Sequence, residues 1–150
     1  MFRIKLGAAK VALIRAARST QTLGASDLEF NEMKTLPDIV QSQRELCQKY
    51  KAECEPPDLG LKLGISKDFF SGKVPLNGLR HPPEGDTCGW YLWAGEKFPE
   101  AADSFEPLHV VHLVERGSEV VRYFGLAPGW RFLIADDHED VWFDRKLLEV

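Results

Sequence analysis

From Thr35 onward the residues Leu36, Ile39, Val40, Gln43, Cys47, Tyr50 and Cys54 recur at intervals of three to four, which predicts an amphipathic helix. Thr35 followed by Asp38 approximates a capping box, and Pro37 is tolerated in a first turn. Pro56-Pro57 are expected to end this helix, because proline has no N–H to continue the ladder and crowds the residue before it. Cys47 and Cys54, seven apart, fall on the same apolar stripe of such a helix and read as core thiols.

Beyond the prolines the repeat shortens. Strands are predicted at 61–66, 90–94, 130–135 and 140–143, separated by turn-rich stretches that include Asn77-Gly78, Pro82-Pro83 and Glu84-Gly85. A short second helix is expected from Glu119 to Phe124, with Ser118 as its cap and Gly125 as its stop. These elements define an α+β fold: a single domain with a small, mostly antiparallel sheet, one N-terminal helix and a short second helix. Internal repeats and low-complexity tracts are not evident.

The last hairpin is the clearest unit. Trp130, Phe132 and Ile134 share one face of its first strand while Arg131, Leu133 and Ala135 share the other, so both faces are mostly apolar and the strand is expected inside the sheet. Asp136, Asp137, Glu139, Asp140 and Asp144 then place five carboxylates within nine positions. Like charges at that density repel, which suits a solvated tip or the approach of a basic partner. A calcium loop is not implied, because it needs ligands at alternate positions and a glycine at the bend.

Charge sharpens the picture. The chain of 150 residues carries a formal net charge of -4, but residues 1–26 hold Arg3, Lys5, Lys10, Arg15 and Arg18 and no acid. The remaining 14 basic and all 23 acidic side chains lie in 27–150, a net of -9. So acidic a body argues against a nucleic-acid ligand, whose phosphates need clustered Lys and Arg, and favours a basic protein. We divide the chain into a basic, poorly ordered or weakly helical tail, 1–33, and a domain, 34–150. The tail has the composition of a transit peptide, or precedes a true start at Met33. Its longest apolar run, Val11 to Ile14, is too short to span a membrane.

Other candidate chemistry is sparse. Cys47, Cys54 and Cys88 are an odd number without a close pair, which reads as free thiols rather than a zinc site completed by His81. His109 and His112 could share a helical face, but no third ligand is near, and the apolar residues around them predict a buried segment with locally bonded histidines. Arg80-His81 sit between Gly and Pro residues and read as a structural clasp ahead of a contact point. Two alternatives to a protein-binding role stay open: a small-ligand module with Trp90, Tyr91 and Trp93 as an aromatic platform, and an enzyme using Cys88 with His109 or His81 as base. Phosphate loops, nucleophile elbows and metalloprotease motifs are missing from the sequence, so catalysis and cofactors are not expected.

Four blocks in order carry a family resemblance: Pro75-Leu-Asn-Gly-Leu-Arg-His-Pro-Pro-Glu-Gly85, Cys88-Gly-Trp-Tyr-Leu-Trp-Ala-Gly-Glu96, Phe105-Glu-Pro-Leu-His-Val-Val-His-Leu113, and the Gly129-Trp-Arg-Phe-Leu-Ile to Glu-Asp-Val-Trp-Phe-Asp144 hairpin. From about Leu46 to Leu148 the chain resembles family thirty-three of the bacterial immunity proteins of polymorphic toxin systems. The resemblance implies a cytoplasmic, non-catalytic protein of interbacterial competition that neutralises a cognate toxin by binding it. A toxin with a basic groove, such as a nuclease, would suit the acids. Asp136, Asp137, Glu139, Asp140 and Asp144 are the candidate partner-binding residues, with Trp142 as an aromatic anchor. No membrane partner is expected, and the oligomeric state is left open.

Overall fold

A computed structural model describes residues 36–101 and 103–150. Helix α1 spans Leu36–Tyr50. It is followed by strands β1 (Lys62–Ser66), β2 (Leu76–Arg80), β3 (Thr87–Ala94) and β4 (Phe105–His109), then helix α2 (Val110–Arg116) and a 3-10 helix at Glu119–Tyr123. Strands β5 (Trp130–Ala135) and β6 (His138–Phe143) form the final hairpin, and a second 3-10 turn, Arg145–Leu148, ends the chain. The strands build one sheet in the order β4-β1-β3-β2-β5-β6, antiparallel throughout except for β1 beside β3. The molecule is α+β, as the sequence pattern predicts, and among the described residues no helix is long and apolar enough to cross a membrane. The basic stretch at 1–33 lies outside those residues.

The two faces of the sheet are covered unequally. On one, α1, α2 and the first 3-10 helix close over Leu63, Ile65, Trp90, Leu92 and Phe132, all buried. On the other, Leu79 and Trp93 are sealed by Leu147 from the terminal turn, with Tyr91, Phe98 and Phe105 packed beside them. The smaller cluster depends on His81, whose ring Nδ1 lies 2.9 Å from the Leu147 carbonyl oxygen and holds that turn against the sheet. Arg80 is a clasp on the opposite side: its guanidinium donates to the carbonyls of Glu55 and Leu126 at 2.7 Å and Cys88 at 3.1 Å, tying three segments to β2.

Several expectations need correcting. Helix α1 stops at Tyr50, before Pro56-Pro57, because Lys51 adopts a left-handed φ of 58° and closes a Schellman turn. Lys51 N–H donates to Gln48 O at 3.1 Å and Ala52 N–H to Cys47 O at 2.8 Å. Cys54 therefore leaves the buried stripe and is exposed, while Cys47 stays in the core.

Asn77-Gly78, a turn signal in sequence, lies in the middle of β2. Asn77 is buried, and its amide donates to Gly95 O at 2.9 Å and Pro75 O at 3.2 Å. A Cβ on Gly78 would lie 2.3 Å from Cε2 of Phe132, so glycine is there to let that ring cross the strand. The predicted helix at 119–124 is a 3-10 turn, although Ser118 caps it as expected, accepting from Val120 N–H at 3.4 Å. The segment around His109 and His112 splits into the edge strand β4 and helix α2: Val110 and Leu113 are buried as expected, but both imidazoles are exposed.

Candidate functional site

The hairpin β5–β6 reverses through Asp136-Asp137, with Ala135 opposite His138. Asp136 takes a positive φ of 41°, a conformation that Asp tolerates better than most residues, and both turn acids are exposed. From there the strand alternation sends the other acids to different places. Glu139, Val141 and Phe143 lie on the helix-covered face, opposite Ile134, Phe132 and Trp130, while His138, Asp140 and Trp142 lie on the other. Only Asp136 and Asp137 stand at the tip.

Glu139 joins three elements. Oε1 accepts from the Tyr123 hydroxyl at 2.6 Å and from Arg122 Nη2 at 2.8 Å, and Oε2 accepts from the Tyr50 hydroxyl at 2.5 Å and from Lys49 Nζ at 3.1 Å. Burial by itself would raise this carboxyl, but the bonds from Tyr123, Tyr50 and Lys49 and the charge of Arg122 outweigh it and hold it down to about 2. Burial, reinforced by the bond to Glu139, pushes both tyrosine hydroxyls up, so at neutral pH they remain donors. The cluster fastens the last turn of α1 and the first 3-10 helix to β6.

Asp144 is a second support. It accepts from Arg131 Nη1 at 2.9 Å and caps the terminal turn by accepting from Lys146 N–H at 3.1 Å. Arg131 is buried, and its guanidinium carbon lies 4.9 Å from the centre of the Trp142 ring. Trp142 is half-buried on this face, and Asp140 beside it lies 3.1 Å from His138 Nε2. The anchor proposed from the sequence thus has a stacked cation beneath it and keeps part of its ring accessible.

Sequence reasoning missed Lys49, Tyr50, Arg122 and Tyr123. Nothing in their spacing connects them to Glu139, 89 residues after Tyr50, and only the packing of α1 and the 3-10 helix on one side of the sheet brings them together.

The remaining candidates lose their chemical reading. Trp90 and Trp93 are at most 1% exposed and face opposite sides of β3, so with Tyr91 they form no open platform. Cys88 is fully buried, and burial pushes its thiol up, the reverse of an activated nucleophile. Among the described residues no group of three or more His, Cys, Asp or Glu could hold a metal ion.

No curated protein and no solved structure matches the chain. The Imm33-like domain matches residues 42–144, from the second turn of α1 to the acid that caps the terminal turn, which is well over half of the sequence. The Glu139 cluster, the Arg131–Asp144 pair and the acidic turn all fall within that span, and the protein belongs to the Imm33-like family of immunity proteins.

Proposed function

We propose that this protein binds a cognate toxin domain in the cytoplasm of the producing cell and neutralises it by protein–protein inhibition, presenting the β5–β6 hairpin as its contact surface. The observation that carries the choice of surface is the position of β6: it is the last strand of the sheet, with an acidic turn at its start and a half-exposed tryptophan on its outer face. Membership of an immunity-protein family supports the role.

Asp136 and Asp137 extend the charge furthest into solvent and would steer a basic toxin surface, raising its association rate roughly 10- to 1000-fold. Exposed ion pairs contribute only about 0.2–1 kcal/mol each, so tight binding needs an apolar anchor as well. Trp142 supplies one. In this reading Glu139 and Asp144 hold the surface in shape, and Asp140 lies between the tip and the anchor. Inhibition by occlusion requires no catalytic group and no cofactor.

The test is co-expression with candidate toxin domains taken from the reading frames that neighbour this one. Growth should be restored, and the purified pair should form a complex. Soluble protein that neither protects nor binds would refute the reading. The triple variant Asp136→Lys, Asp137→Lys, Asp140→Lys should associate more slowly and with weaker salt dependence, whereas an unchanged rate would move the contact elsewhere on the protein.

A further inference from the structure

We propose that Cys47 and Cys54 are a redox-modifiable dithiol, which closes to an intramolecular disulfide when it meets a small-molecule disulfide. Cys47 sits in the last turn of α1, 2% exposed, and Cys54 lies beyond the helix at the surface. The Schellman turn at Lys51 reverses the chain between them. Cys54 then bridges to Leu126, and Glu55 N–H donates to Gly125 O at 2.6 Å, which fixes the returning segment beside the end of the helix.

Gly125 reveals how closely the sulfurs converge. A Cβ at that position would lie 3.1 Å from Cys54 Sγ and 3.5 Å from Cys47 Sγ, so both thiols border the space that the missing side chain leaves. Burial, together with the neighbouring Cys54 thiol, pushes Cys47 up to about 12. Cys88 belongs to the core and has no part in the pair.

The accessibilities set the order of events. The Cys54 thiolate attacks the small disulfide, forming a mixed disulfide and expelling one thiolate. The Cys47 thiolate then attacks the Cys54 sulfur, forming the internal bond and expelling the second. Two protein thiols are oxidised, one small disulfide is reduced to two thiols, and the two protein protons pass to the expelled thiolates. Because Cys47 is rarely ionised at neutral pH, the second step should accelerate steadily as pH rises. The product ties the end of α1, which carries Lys49 and Tyr50 to Glu139, to the strand-like segment at Leu126.

The experiment uses the whole protein, equilibrated in glutathione buffers from reducing to oxidising, quenched in acid, unfolded and titrated for free thiols. The count should fall from three to one, with Cys88 as the survivor and a single linked peptide joining Cys47 to Cys54. Cys54→Ser, a change at an exposed position, should keep both remaining thiols throughout. Gly125→Ala, which crowds Cys54 Sγ, should slow closure. Three thiols surviving the most oxidising buffer, a lasting glutathione adduct on Cys54 with Cys47 still free, or Cys54-linked dimers in place of the internal bond would each overturn the proposal.

Discussion

At one edge of the sheet β4 carries Pro107 at its centre and runs directly into α2, whereas at the other β6 is six residues long, contains no proline and, among the described residues, pairs only with β5. Val110 N–H donates to Leu61 O, and the alternation of an antiparallel ladder then turns the backbone of Pro107 outward, away from β1. The proline therefore removes a donor where an incoming strand would need one. On β6 the opposite holds. Asp144 N–H donates to Gly129 O, so the backbones of Glu139, Val141 and Phe143 point to the open side with all their donors and acceptors intact. That edge is not blunted; it is braced, by Glu139 on the helix face and by Arg131 with Asp144 on the other. A strand held rigid by side chains and left open along its backbone has the properties of a docking edge.

The largest effect is expected from removing a brace. Asp144→Ala strips the buried Arg131 of its counter-charge, and because Arg131 Nε makes no hydrogen bond among the described residues, little remains to compensate the guanidinium. A loss of roughly 3–5 kcal/mol is expected from leaving such a charge unpaired, seen as a lower urea midpoint at unchanged slope. The double variant Arg131→Met, Asp144→Ala should recover much of it. If Asp144→Ala alone costs under about 1 kcal/mol, the range of a surface pair, β6 is not braced on this face.

Glu139→Leu is next. It leaves the buried Tyr123 hydroxyl without its acceptor, at a cost of about 1–3 kcal/mol. Glu139→Gln keeps an acceptor but abolishes the titration. With the folded carboxyl held down to about 2, below its ordinary value of 4.5, the charged form contributes stability above pH 4.5, and that contribution is lost as pH falls towards 2. The acid limb of the stability profile should accordingly flatten in Glu139→Gln. Identical acid limbs for the two proteins would show that the cluster does not couple this carboxyl to folding.

Both braces bear on what could be read in advance. The hairpin, α1 and the α+β class were legible because period and turn chemistry are local. The acids looked alike because neighbours in sequence share a charge, yet a two-residue side-chain period sends Glu139 and Asp140 to opposite faces, and the partners of Glu139 come from α1 and the 3-10 helix while that of Asp144 comes from β5. Strand β2 was hidden by Asn77-Gly78, whose usual turn meaning was overridden by tertiary packing: a buried amide and a ring lying across a glycine. Cys54 was misplaced because the left-handed Lys51, which ends α1, is a residue type that carries no stop signal.

The blunted edge offers a third test. Pro107→Val restores the outward N–H of β4 and adds a β-branched side chain suited to a strand. Folding should be little affected, but the variant should self-associate at concentrations where the parent does not, as seen by sedimentation velocity. Continued identity with the parent would mean that α2 or another feature guards this edge without help from the proline.

The smallest change in stability should come from the tip, where the comparison is most discriminating. Asp136→Asn with Asp137→Asn removes two charges while keeping a residue type that accepts the positive φ of 41° at position 136, so the turn itself is preserved. Both positions are exposed, and stability should stay within about 0.5 kcal/mol of the parent. Association with the toxin should nevertheless slow, most of all at low salt, with dissociation nearly unchanged, because charges at a rim act on encounter more than on the formed complex. A variant that loses stability like Asp144→Ala would make the tip a third brace, and one that dissociates faster at an unaltered association rate would place these aspartates inside the interface.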